Sequence, residues 1–216
     1  MKRVSIFSGH YGSGKTNAAI NYARLIRSMG HEVIIADLDI VNPYFRTKDS
    51  EEMLAREGIE MISLPFANSN VDLPSIPSEA YRLVQDRSRY AVIDLGGDDR
   101  GALAMGRFAP YIIEENDYDM FFVVNFYRPL TTTAADAMEV IREIEGSTAL
   151  RFSGIVNDSN LASETDRETI LSTLPLADEL SALSGLPVVF TCVDAAMKDK
   201  PDIKDLFELT LQEKYY

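Results

Sequence analysis

Short apolar runs recur along the 216-residue chain, and each one empties into a polar or glycine-rich cluster. The runs predict strands at residues 4–8, 33–37, 59–64, 90–95, 120–125, 152–157 and 187–193. Several of them (Val33-Ile-Ile-Ala-Asp37, Tyr90-Ala-Val-Ile-Asp-Leu95) lack polar alternation, as strands of a parallel sheet covered on both faces do. Between them the apolar period lengthens to that of a helix. Ala18, Ala19, Tyr22, Ala23, Leu25, Ile26 and Met29 mark one face of a helix over 15–29 that Gly30 ends. Further helices are expected over 50–56 with Ser50 as cap, over 78–86, in part of 102–115, and from Pro129 and the Thr131–Thr133 cluster to Glu145. Another starts at Ser163 and Glu164, is broken or restarted by Pro175 and ends near Gly185. The last is expected over 203–212. Pro65 to Pro77 reads as a long surface loop. About seven strands alternating with helices predict a three-layer, doubly wound, mostly parallel α/β sheet in one domain over 1–216. In such a sheet ligands sit at the carboxyl ends of the strands, where every polar cluster falls.

The first cluster carries the most specific chemistry. Gly9-His10-Tyr11-Gly12-Ser13-Gly14-Lys15-Thr16 fits the phosphate-loop pattern G-x-x-x-x-G-K-[ST], between a strand and a helix as that loop requires. Glycines 12 and 14 let backbone wrap a phosphate in dihedrals closed to other residues. The amides from Gly12 to Thr16, at a helix N-terminus, favour an anion, and Asn17 continues that turn. Lys15 is expected to reach the β- and γ-phosphates and Thr16 to ligate Mg²⁺. Asp94 ends an apolar run, the setting of a carboxylate near that metal, and Gly96-Gly97 follow it. Asp37 and Asp39 stand at alternate positions just past a strand, so both carboxylates are expected to face the loop. One would order the metal's waters and the other position an attacking water. A solvated acidic turn is the plain reading of that pair.

Composition narrows the partners. The balance of 21 Lys+Arg and 34 Asp+Glu leaves a net charge of −13, which argues against a nucleic-acid backbone and an anionic membrane surface. One cysteine, Cys192, and two histidines, His10 and His31, leave no disulfide, no C-x-x-C site and no histidine cluster. Neither a signal-peptide pattern nor an apolar run of ~20 residues is found, so the chain is expected in the cytoplasm.

Together the loop, Asp37-x-Asp39 and Asp94-x-Gly-Gly resemble the MinD/ParA group of P-loop ATPases, of the SIMIBI class, and Val124-Asn-Phe-Tyr-Arg-Pro129 resembles its fifth-strand exit. The resemblance implies ATP and ADP as ligands with Mg²⁺, catalysis by Lys15, Asp39 and Asp37, and metal contacts from Thr16, Asp37 and Asp94. It implies further that Gly97 senses the γ-phosphate, that Asn157 meets the adenine edge and that Val193 and Asp194 flank the base. Output would be a switch on an unidentified protein partner, with a nucleotide-dependent homodimer. The chain departs from the group at His10, where the group has a lysine; Arg46, Arg100 and Arg128 are the candidates for that charge, and each also reads as a solvated arginine. The tail (Ile203, Leu206, Phe207 and Leu211 on one face) is acidic where membrane-binding members are basic, so it is expected to dock on the core. Residues 100–102 lack the iron-protein members' cluster cysteine, and Cys192 reads as a small core residue. Asn157-Asp-Ser-Asn160 lacks the lysine and aspartate of a guanine site, which favours ATP. A nucleotide-binding module with little hydrolysis and an ATP-dependent small-molecule transferase or ligase, with 65–77 as lid, remain alternatives.

Overall fold

All the strands run the same way, in one sheet of order β3-β2-β4-β1-β5-β6-β7-β8. The computed structural model describes residues 1–39, 48–63, 78–97 and 99–211, with backbone alone at 48–50, 63, 99 and 100. Expected features at Arg46, Leu64 and the 65–77 loop, and the side chain of Arg100, lie outside the described residues. The strands are β1 Val4–Gly9, β2 Val33–Asp37, β3 Ile59–Ser63, β4 Tyr90–Gly96, β5 Tyr118–Val124, β6 Gly154–Asn157, β7 Val188–Asp194 and β8 Leu206–Leu209. The helices are α1 Lys15–Ser28, α2 Lys48–Arg56, α3 Arg82–Gln85, α4 Asp99–Glu115, α5 Ala134–Thr148, α6 Arg167–Leu171 and α7 Leu174–Ser184.

Burial on both faces explains the unalternating strands. Successive residues point to opposite sides. Ile6, Ile34 and Ile93 join one core with Leu83, Phe108, Ile112, Ile141 and Leu180, from α3, α4, α5 and α7. Their neighbours Phe7, Ile35 and Val92 join the other, with Ala19, Ile20, Ala23 and Ile26 of α1 and Leu54 of α2. Each large apolar side chain so buried contributes about 1.5–3 kcal/mol. Helix, sheet and helix make the three layers.

Element ends follow local chemistry. Thr133, not Pro129 or Thr131, caps α5, accepting the Asp136 N–H at 3.1 Å. Asp166 caps α6 in a reciprocal box with Thr169. Pro175 sits in the first turn of α7, where its missing N–H costs nothing, and Gly185 closes that helix at φ 74°. Ser50 falls inside α2 rather than at its cap, and residues 78–86 divide into a 3₁₀ turn, Ser78–Tyr81, and α3.

The tail corrects the expected final helix. Residues 206–209 instead form β8, which pairs in parallel with β7 from Thr191↔Leu206 to Asp194↔Leu209. Two observations explain it. Phe207 and Leu209 share the face turned to α1, with the Phe207 ring 4.6 Å from Phe190, centroid to centroid, and Leu209 buried. Asn21 of α1 then fastens the strand's exit, donating to the Thr210 carbonyl at 3.1 Å and accepting its N–H at 2.9 Å. The tail does dock on the core, but at a strand's period.

Candidate nucleotide-binding site

The glycine loop joins the central strand β1 to α1. Gly12 (φ 79°) and Gly14 (φ 89°) are both left-handed, and Ser13 N–H closes the turn on the His10 carbonyl at 3.1 Å. Gly14 is the N-cap of α1 and offers no side chain, and the helix's first turn carries no acidic residue. No acceptor among the described residues takes the N–H groups of Gly14, Lys15, Thr16 and Asn17. Orphan amides at a helix start, left without a protein cap, suit an anion.

Two strand ends bring three carboxylates to this loop. Lys15 is buried, and its Nζ stands 2.6 Å from Asp39 Oδ2, just past β2. Thr16 Oγ1 donates to Asp94 Oδ2 of β4 at 2.5 Å. Asp37 Oδ1 accepts the Asp39 N–H at 2.8 Å, and the Leu38 N–H reaches the Asp94 carbonyl at 2.8 Å. Asp39 packs on Gly96, where a Cβ would lie 3.2 Å from its Oδ1; at Gly97 a Cβ would come 2.5 Å from the Gly9 carbonyl oxygen. Residues 94–97 thus lie directly against the loop.

The charges are tightly linked. Burial alone would lower the Lys15 pKa, but Asp94, Asp39 and Asp37 outweigh it and raise it. Burial pushes Asp94 up to about 6, against the pull of Lys15 and Thr16, with Asp39 adding to the rise. Asp94 Oδ1 is buried with no hydrogen-bond partner among the described residues. That orphan oxygen and the Thr16 hydroxyl are hard donors suited to Mg²⁺. Among the described residues no group of three His, Cys, Asp or Glu is placed to hold a metal.

The remaining expected residues line the same edge in different ways. His10 turns its Nδ1 to the Tyr11 carbonyl, 3.1 Å away, and Tyr11 is exposed. Ser13 is buried, and the Asn17 carbonyl accepts from Asn21 at 2.9 Å. Asn157 is fully buried: its amide donates to Thr173 Oγ1 at 3.1 Å, and its Oδ1 accepts the Ser159 hydroxyl at 2.6 Å. As described, that side chain shapes the 157–160 loop. Val193 is buried at the end of β7, and Asp194 Oδ1 accepts the Ala196 N–H at 2.8 Å.

Asp158 gains a place that sequence reasoning did not give it, and Arg128, one of three candidate arginines, is found against the loop. Asp158 is buried against Gly14, where a Cβ would fall 1.7 Å from its Oδ2. Burial pushes its carboxyl up to about 8, with the Asn160 amide opposing weakly. Burial, with Asp158 beside it, likewise holds the Cys192 thiol well above its usual range. Arg128 donates its Nε–H to the Gly12 carbonyl at 3.0 Å. Nothing in residue type separates Asp158 from a solvated acid, and no spacing selects Arg128 over Arg46 and Arg100.

A parallel doubly wound sheet, a phosphate loop after its central strand and an aspartate at the end of the neighbouring strand define the P-loop NTPase fold. Solved structures share it. FtsY from Mycoplasma mycoides matches with a TM-score of 0.58 at 16% identity, over 89% of this chain and 61% of its own. Signal recognition particle receptor FtsY from Elizabethkingia anophelis, in complex with GDP, matches with a TM-score of 0.56 at 15% identity, over 92% of this chain and 59% of its own. A nucleotide-binding protein from Archaeoglobus fulgidus, in complex with ADP, matches with a TM-score of 0.52 at 15% identity, over 89% of this chain and 84% of its own. The chain spans about three fifths of the length of these FtsY structures. No family model and no curated protein matches the sequence. At such identities the likeness is one of fold.

Proposed function

We propose that the chain is a Mg²⁺-dependent ATP-binding protein that hydrolyses ATP slowly and acts as a switch on a protein partner. The observation that carries this is the double link from the loop to two strand ends, Lys15–Asp39 and Thr16–Asp94. A phosphate oxygen that takes the Lys15 ammonium would compete with the Asp39 carboxylate for it. The ligand's arrival would therefore loosen Asp39, and Gly97 lies against Gly9 of the same loop. Hydrolysis would release both segments, the usual way a γ-phosphate sets the state of a surface. Thr16 and Asp94 would hold Mg²⁺, which supplies charge neutralisation on the phosphates. Asp37 orders the Asp39 backbone, and Asp39, once displaced, is the carboxylate available to orient water.

Asp37-x-Asp39 and Asp94-x-Gly-Gly favour the MinD/ParA branch of the SIMIBI class for this domain. GDP and ADP complexes both occur among the structures that share the fold, so the base rests on residues 157–160, which favour adenine. The net charge of −13 supports a partner that is neither nucleic acid nor membrane. No helix among the described residues is long and apolar enough to cross a membrane. The exposed Tyr11 on the loop suits a nucleotide-dependent contact, with a partner or a second copy.

Phosphate release and ATP binding by Lys15→Ala and Asp39→Ala test the site. Lys15→Ala is expected to bind ATP roughly 10- to 100-fold more weakly. Asp39→Ala is expected to bind at least as tightly as wild type, because the competing anion is gone, and to hydrolyse roughly tenfold or more slowly. Unchanged turnover in both sinks the assignment. A second reading, binding with almost no hydrolysis, is favoured by His10, whose ring is engaged locally. Turnover that appears only in His10→Lys would select it.

A further inference from the structure

The turn after β5 is built around one exposed arginine. Asn125 is fully buried, and both ends of its amide are used: Nδ2 donates to the Asn160 carbonyl at 3.1 Å and Oδ1 accepts the Tyr127 N–H at 3.0 Å. The Asn125 carbonyl accepts the Arg128 N–H at 3.1 Å and the Thr131 hydroxyl at 2.7 Å. Thr131 is buried too, and its N–H returns to the Arg128 carbonyl at 3.0 Å. Phe126 N–H is held by Ser159 Oγ at 3.0 Å. Arg128 is thus tied on both sides, and its turn is tied to the 157–160 loop.

The side chain crosses to the phosphate loop. Its Nε–H donates to the Gly12 carbonyl at 3.0 Å, and a Cβ on residue 12 would stand 3.2 Å from Nε and 3.4 Å from Cζ. Glycine at 12 is favoured twice, by its φ of 79° and by its close contact with the arginine. The peptide between Gly12 and Ser13 is held at both ends, its carbonyl by Arg128 and its N–H by the His10 carbonyl. Immediately after it come the four N–H groups with no acceptor among the described residues. Charge points the same way. Asp37, Asp39 and Asp94 face the buried Lys15, and Arg128, which has no carboxylate partner among the described residues, is a second cation touching the loop.

We infer that Arg128 is a positioning residue for the phosphate chain of a bound nucleotide. It locks the Gly12–Ser13 peptide ahead of the anion-binding amides and offsets part of the acidic charge around them. The inference rests on the nucleotide reading above. The test compares wild type, Arg128→Ala, Arg128→Met and Arg128→Lys for binding of Mg·ATP and Mg·tripolyphosphate, with the ligand-free Tm of each. Alanine and methionine are expected to weaken both ligands about 10- to 100-fold, and lysine to fall between them and wild type. The ligand-free Tm should stay within about 2 °C, since the side chain is exposed and buried Asn125 and Thr131 hold the turn. ATP affinity within twofold of wild type in Arg128→Ala overturns the inference. So does a loss confined to ATP with tripolyphosphate unaffected, a lysine no better than methionine, or a loss accompanied by a large fall in Tm. Wild type that binds neither ligand overturns the nucleotide reading itself, and this inference with it.

Discussion

At the scale of single residues, the loop is ringed by acids that differ in what holds them. Asp39 is matched by Lys15, whereas Asp158 has burial against Gly14 and only a distant amide of Asn160. An Asp whose folded pKa is raised keeps its proton where the unfolded chain has lost it. Its contribution to stability is full below the unfolded value of 3.8 and is lost as pH rises toward about 8. Asparagine cannot ionise. Asp158→Asn should therefore flatten the pH dependence of unfolding across that window and gain on wild type most at its alkaline end. Denaturant titrations at pH 5 and pH 8 check this; parallel shifts at both pH values would show that Asp158 titrates normally. Gly14 meets the same carboxylate, so Gly14→Ala combines a clash at 1.7 Å with a φ of 89° and should lose nucleotide binding outright.

Among the elements, those with a distinct apolar pattern were legible and the tail was not. The Val33–Asp37 strand and the start of α1 at Lys15 are where that pattern puts them, because an unbroken apolar run that empties into a polar cluster marks a buried parallel strand and a long amphipathic helix leaves a clear period. The tail is different. Leu206-Phe207-Glu208-Leu209 is too short for its period to be read, and the open edge of β7 decided the outcome. The two readings differ in which leucine carries weight. A helix would pack Leu211, whereas the strand buries Leu209 and leaves Leu211 at 44% exposure. Leu209→Ala should cost about 2–4 kcal/mol and Leu211→Ala no more than about 0.5 kcal/mol in chemical denaturation. In the site itself, Lys15, Thr16 and Asp94 were legible because loop chemistry prescribes their types. Asp158 was not, because burial leaves no local mark, and Arg128 could be named only as one of three candidates, because a reach across 116 residues of sequence separation leaves none either.

For the molecule as a whole, ligand binding and folding are linked through the central strands. The loop leaves β1, which β4 and β5 flank, so a ligand held there favours the folded sheet as a unit. Mg·ATP at about 100 times its dissociation constant should stabilise the protein by about 2.7 kcal/mol, raising Tm by several degrees, and EDTA should remove most of that rise. An equal rise without metal would count against Thr16 and Asp94 as its holders. The strands' common direction has a practical consequence. Their carboxyl ends share one rim with the glycine loop, and their amino ends share the opposite rim, where residues 1–3 enter β1. Residue 211, just past β8, leaves on the loop's side. An affinity handle or surface tether at Met1 should therefore turn the glycine-loop rim outward, whereas one joined at Leu211 should start from that rim.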